Sequence, residues 1–211
     1  MNRLLLATRS ADKLREIAEI LTAAGAGVEV QSLDEARIAW SAAEEKLEDH
    51  DSFLANARSK AEYFARLSGL PTVADDSGIE VISLLGAPGV RSKRYALNAA
   101  QLAGKELDAA NNAELLRRLE GADVKRRRAS YVCVAVLVRK VGALPQDFTG
   151  RCWGRVIEEP RGSGGFGYDP LFFDEELERT FAELTPEEKH ARSHRGDAFR
   201  QVAEALKARP L

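Results

Sequence analysis

Four consecutive apolar residues, Leu4, Leu5, Leu6 and Ala7, open the hydrophobic pattern, and so short an unbroken run predicts a strand buried on both faces. Leu14, Ile17, Ala18 and Leu21 then recur at helical spacing from about Asp12, with Ser10 placed to cap the helix and Gly25 to end it. Val28 and Val30 predict a second strand. The stretch 34–51 is acidic and without period, so it reads mostly as loop. A second helix is predicted over 52–68, stopped by Gly69. Val73 and Ala74 lead into Asp75-Asp76-Ser77-Gly78, which reads as a polar turn before another strand at Ile79, Val81 and Ile82. Ala87-Pro88-Gly89 marks a turn, and Asp108 can cap a helix that ends near Gly121. Residues 131–138 are apolar on both faces, as in a strand covered on both sides, and 148–157 reads as its return strand. The glycine-rich stretch 162–167 precedes a short aromatic strand, Leu171-Phe172-Phe173. Thr185, Pro186 and Glu188 spell a capping box with proline in the first turn, and a last amphipathic helix covers about 198–208. Strands and helices alternate without repeat or linker, which predicts one α/β domain over 1–211.

Composition narrows the function. The chain has 211 residues, 45% of them hydrophobic and 30% charged, enough for a large core. The formal net charge is -2, which disfavours a surface built to hold nucleic acid. The one basic run, Lys125-Arg126-Arg127-Arg128, lacks the interleaved aromatics that stack on bases, and it reads as an exposed connection. Cys133 and Cys152 have neither CxxC spacing nor a histidine-rich partner region, and they read as reduced, buried thiols. No stretch approaches the roughly 18 apolar residues of a membrane span, and the first apolar run is too short for a signal peptide. The expectation is a cytoplasmic protein that binds neither membrane nor nucleic acid.

Four constellations could carry chemistry. Asp75 and Asp76 offer adjacent carboxylates beside a glycine, which suits a hard cation such as Mg2+; an ordinary polar turn is the alternative. The acidic stretch Glu44, Glu45 and Glu48 could add a ligand. Gly162-Ser163-Gly164-Gly165-Phe166-Gly167 contains a formal G-x-G-x-x-G, but a dinucleotide fingerprint needs a helix to open there, and Tyr168-Asp169-Pro170 follows instead. Such a loop can let backbone approach a ligand, with Phe166 as a stacking face. Lys189, His194 and Arg195 gather donors that suit an anion or a carbonyl-rich base. His190 and His194 have a zinc-compatible spacing but lack the accompanying glutamate of H-E-x-x-H. Thr8, Ser10 and Lys13 sit where the first strand meets its helix, a place where backbone amides face an anion.

Taken in order, the segments LLATRSADKLREI, SFLANARSKAEYFARLSGLPTVADDSGIEV, GAPGVRSKRYA, GGFGYDPLFF and AELTPEEKHARSHRGDAF resemble the inosine triphosphate pyrophosphatase family, the house-cleaning purine nucleotide pyrophosphatases. The resemblance runs from Leu4 to about Leu206. It implies an α/β fold with a long mixed sheet, flanking helices and two lobes around a nucleotide-binding cleft. It also implies a homodimer and Mg2+-dependent hydrolysis of ITP, dITP and XTP to monophosphate and pyrophosphate. Asp76 falls at the catalytic carboxylate, and Glu48, Asp75 and Asp76 at the metal. Thr8, Arg9, Ser10, Lys13, Lys60 and Ser77 fall at triphosphate positions, and Arg94 matches an arginine in the family's S-x-R-Y segment. Phe166, Gly167, Tyr168, Asp169, Lys189, His194 and Arg195 fall at base-recognition positions. The chain departs from the pattern at Ser10, where asparagine is usual, at Arg9, where glycine is frequent, and at Ala55, where bacterial members often carry glutamate.

Overall fold

Apolar runs too short for helices become the strands of one sheet, and the amphipathic segments become helices against it. The computed structural model describes residues 2–211. Among the described residues there are seven strands: β1 (Asn2–Leu6), β2 (Val28–Gln31), β3 (Thr72–Val81), β4 (Arg128–Val138), β5 (Gln146–Val156), β6 (Phe172–Asp174) and β7 (Arg179–Thr180). The helices are α1 (Ala11–Ala23), α2 (Phe53–Ser68), α3 (Gly104–Arg118), α4 (Pro186–Arg192) and α5 (His194–Ala208). The strand order is β2-β1-β3-β4-β5-β6-β7. β1 runs parallel to both β2 and β3, whereas β6 is antiparallel to β5 and β7, so the sheet is mixed. The chain divides into two compact units, 1–76 with 133–150 and 194–211, and 77–132 with 151–193.

In the first unit Leu4, Leu6, Val73, Cys133, Ala135 and Leu137 form a core with Ile17, Leu21, Phe199, Val202 and Leu206 from α1 and α5. Each fully buried leucine contributes about 1.5–3 kcal/mol relative to exposure. In the second unit Ile79, Val81, Tyr131, Phe172 and Phe181 pack with Leu115 of α3 and with Leu119 just past its end. The rings of Tyr131, Phe172 and Phe181 lie 4.7–5.9 Å apart, the usual range for aromatic pairs.

The predicted caps hold. Ser10 accepts from the Lys13 amide and Thr185 closes its capping box with Glu188; Ser52, not singled out as a cap in the sequence, accepts from the Ala55 amide at the start of α2. Both cysteines are buried and reduced. The acidic stretch is mostly loop, as expected, around one 3-10 helix, Ala42–Glu48, started by a Ser41–Glu44 capping box. Three expectations are corrected. α3 begins ahead of Asp108, which lies inside the helix rather than at its cap. Arg127 is buried, donating to the carbonyls of Ala122 and Leu119 beyond the end of α3, so that part of the basic run is not an exposed connection. Finally, no turn interrupts the chain at 75–78. β3 runs straight through, and Gly78 is required for packing, since a Cβ there would collide with the Gly89 carbonyl and the Ser92 hydroxyl. That hydroxyl accepts from the Ile79 amide at 2.9 Å and donates to Gly89 at 2.7 Å, so it cannot yield without losing both bonds. Gly78→Ala is expected to destabilise the fold by about 1–3 kcal/mol, seen as a lower urea midpoint at unchanged slope. An unchanged midpoint contradicts this account of Gly78.

Candidate active site

Because side chains alternate along a strand, the neighbours Asp75 and Asp76 project to opposite sides of β3 and meet different partners. Asp75 has a fully buried side chain. Its Oδ2 lies 2.9 Å from Lys13 Nζ and 3.7 Å from Arg195 Nη2, with the Cys133 thiol at 3.8 Å. Arg195, 3% exposed at the start of α5, also donates to Glu16 on α1 at 2.7 Å. Burial opposes ionisation of Asp75, but Lys13, Arg195 and Lys60 outweigh it and hold the carboxyl well below its ordinary 3.8. Burial first, and the Asp75 charge second, push the Cys133 thiol up, so it stays protonated.

Asp76 meets the second helix. Asn56 Nδ2 donates to its Oδ2 at 2.8 Å, and Lys60 Nζ lies 4.0 Å from Oδ1. Lys60 also donates to Glu48 at 2.7 Å and to the Asp75 carbonyl at 2.5 Å. Desolvation raises the Asp76 carboxyl above its ordinary value, against the pull of Lys60, Lys13 and Asn56. Burial works against the Lys60 charge too, but Glu48, Asp76 and Asp75 raise its pKa, so it remains an ammonium. Asp76 keeps 11% of its side chain accessible where Asp75 has none, so it is the one of the pair that a ligand can reach.

The loop from β1 leads directly into the start of α1. Thr8 Oγ1 accepts from the Ser10 amide at 3.1 Å, and the Ser10 cap places the positive end of the α1 dipole there. Arg9 is engaged with acidic side chains. Its Nε and Nη2 form a fork on Glu44 at 3.0 and 2.8 Å, with Asp34 at 3.4 Å. That fork ties the loop to the 3-10 helix whose last residue is Glu48. Among the described residues, no group of three acidic, histidine or cysteine side chains is gathered tightly enough to be a metal site alone. The donor chemistry still fits a hard cation completed by phosphate oxygens, since magnesium is held by one or two carboxylates plus substrate.

The second unit holds another cluster. Asp169 Oδ2 accepts from the Phe166 amide at 2.8 Å and from Lys189 Nζ at 2.5 Å, with Tyr131 OH at 3.4 Å from Oδ1. The Lys189 ammonium stands 4.8 Å from the centre of the Phe166 ring, a cation–π distance. Tyr168 is buried, and its hydroxyl donates to the Ser92 carbonyl at 2.7 Å, so it acts as a strut. Ser77 is half-buried, and Arg94 is exposed on the 3-10 helix Gly89–Arg94. His194 is buried next to Arg195. The sequence groups Lys189 with His194 and Arg195, but the structure gives Lys189 to Asp169 and Arg195 to Glu16 and Asp75. Asn56 and Glu16 went unnoticed in the sequence because each lies inside a helix among ordinary polar positions; only tertiary contact singles them out.

The Ham1 family model matches residues 4–205. A dITP/XTP pyrophosphatase of Ralstonia nicotianae is 47% identical over 211 residues, covering 98% of this chain and 98% of its own. One of Frankia alni is 44% identical over 205 residues, covering 97% of each. A solved HAM1 protein from Coxiella burnetii covers 99% of this chain and 100% of its own at 37% identity, with a TM-score of 0.82.

Asp75→Asn removes the charge that Lys13 and Arg195 answer, so that Lys13 loses its buried carboxylate and Arg195 keeps Glu16 but loses the second anion. A loss of about 3 kcal/mol is expected at neutral pH. A carboxylate held below its ordinary value stabilises the fold above that value and loses the contribution as pH falls through the folded one. Wild-type stability should therefore drop on acidification below about pH 4, with a shallower slope in the variant. Parallel denaturation curves at every pH contradict the pairing.

Proposed function

The chain belongs to the Ham1 family, and on that premise we propose that it hydrolyses non-standard purine nucleoside triphosphates, ITP, dITP and XTP, to the monophosphate and pyrophosphate. The reaction adds one water across the α–β phosphoanhydride. The observation that carries this reading is Asp76, a buried carboxylate whose pKa burial raises, still reachable, and flanked by Asn56, Lys60 and Glu48.

Asp76 and Glu48 would hold Mg2+ together with phosphate oxygens. Magnesium, when bound, offsets charge on those oxygens. Asp76 also orients the attacking water and takes up its proton at a carboxylate oxygen, a role that a raised pKa suits. Asp75 serves by fixing Lys13, whose ammonium, with Lys60, Thr8, Ser10, Ser77 and Arg94, attends the triphosphate as compact charges and donors. Arg195 extends the same electrostatic frame through Glu16 and Asp75. Lys60 bonds Glu48 before any phosphate arrives, so substrate and cation exchange a preformed ion pair for new partners.

The base falls to the second unit. Phe166 stacks on a purine, and Lys189, held by Asp169, donates to the carbonyl at position 6 of hypoxanthine or xanthine. Adenine presents an amino donor there and meets Lys189 donor to donor. His194 completes the donor set, Gly167 shapes the turn beside Phe166, and Tyr168 braces it. Residues 1–211 are read as a single nucleotide pyrophosphatase domain. A magnesium cofactor, a homodimer and a cytoplasmic setting belong to the same reading; among the described residues no helix is long and apolar enough to cross a membrane.

Two outcomes test it. Asp76→Asn keeps shape and removes charge, so ITP turnover should fall by about 10³-fold or more, and chelating magnesium should abolish wild-type turnover. Near wild-type activity in the folded variant removes Asp76 from the mechanism. Separately, kcat/KM should favour ITP over ATP by up to about 10⁴-fold, and Lys189→Ala should lower the ITP value far more than the ATP value. Equal turnover of both by wild type, or an equal loss for both in the variant, contradicts the donor reading.

A further inference from the structure

Helix α3 carries polar side chains that the chemistry above does not use. Asp108 and Asn112 are four residues apart, one above the other on a helix face. Asp108 Oδ2 accepts from the Gly167 amide at 2.9 Å, and Asn112 Nδ2 donates to the Gly167 carbonyl at 2.9 Å. Both polar groups of a single loop residue are thereby taken by one helix. Gly167 sits at a φ of +63°, a conformation that only glycine adopts freely, so its backbone is held in place by these two bonds rather than by any regular element. The preceding amide, that of Phe166, is held by Asp169, which also holds Lys189.

The adjacent Asn111, buried on the same helix, accepts from the amides of Tyr95 at 3.0 Å and Ala96 at 2.9 Å and donates to the carbonyl of Lys93 at 3.1 Å, on either side of Arg94. Leu107 and Leu115 already seat α3 by apolar burial, so three polar side chains directed at loop backbones are not needed to dock it. What they determine is the shape of the loops.

We propose that Asp108 and Asn112 are positioning residues for purine recognition: by clasping Gly167 at its amide and its carbonyl, they hold the Phe166 ring and the Lys189 ammonium in the arrangement that receives the base. The inference rests on the purine triphosphate reading of this site. A preformed turn spares the ordering cost that a loose one meets on binding, so the effect belongs in KM and in base preference, and not in the bond-breaking step.

The test compares wild type with Asp108→Ala, Asn112→Leu and Asp108→Asn at a temperature where all are folded by circular dichroism. It measures kcat and KM for ITP and ATP with magnesium, and the inhibition constant of inorganic tripolyphosphate, which has no base. Asp108→Ala and Asn112→Leu should each raise KM for ITP about tenfold and narrow the preference over ATP. Their kcat should stay within about threefold, and tripolyphosphate binding should be unchanged. Asp108→Asn keeps an acceptor oxygen for the Gly167 amide and should stay near wild type. The proposal is overturned if ITP and tripolyphosphate weaken together, or if stability falls while KM and base preference stay as they were. Absence of ITP cleavage by the wild type itself removes the functional reading, and this inference with it.

Discussion

Two consecutive carboxylates buried on one strand set the terms for the first unit. Taking a carboxylate out of water costs several kcal/mol unless cations and donors answer it, and Asp75 and Asp76 face opposite ways, so two separate sets of partners are needed. Lys13 comes from the first turn of α1, Arg195 from the first turn of α5, and Asn56 and Lys60 from α2. Three helices are therefore tied to the same short stretch of β3. The packing that places them is apolar, but the residues that would make misplacement expensive are ionic.

The same arrangement gives the two aspartates different roles. Asp75 is sealed between Lys13 and Arg195 and holds its charge firmly. Asp76 has fewer cations close by, remains accessible, and is raised by burial. One strand thus gives adjacent, chemically identical residues opposite settings, one sealed among cations and the other accessible and raised by burial. In the second unit Asp169 plays the organising part. It gathers the Phe166 amide, Lys189 and the Tyr131 hydroxyl, and so fixes a stacking ring and a cation relative to each other.

Much of this was legible in the sequence, where local chemistry decides local structure. The apolar runs at Leu4 and at 131–138, the caps at Ser10 and Thr185, and the stop at Gly69 act through neighbours a few residues away. What failed depended on distant neighbours. Gly78 looked like a turn because glycine after two aspartates and a serine is turn chemistry, but the constraint came from Ser92 and Gly89, which pattern cannot place beside it. Asp108 looked like a helix cap because aspartate favours that position, yet its acceptor serves Gly167, 59 residues away. The fork of the Arg9 guanidinium on Glu44, 35 residues away, was likewise invisible, because order along the chain only placed Arg9 in the loop after β1. Arg195, three residues beyond Arg192, joins Asp75 because it occupies the first turn of α5, where a buried anion awaits it.

Hard cations, lysines and a raised carboxylate serve many phosphate reactions, so the proposed hydrolysis is distinguished by which anhydride is broken. The direct measurement is a phosphorus NMR spectrum of ITP incubated with the protein and magnesium. Cleavage between the α and β phosphates yields equal amounts of inosine monophosphate and pyrophosphate, with no inosine diphosphate at any time. Accumulation of the diphosphate with orthophosphate would place the cleavage at the terminal phosphate and contradict the proposal.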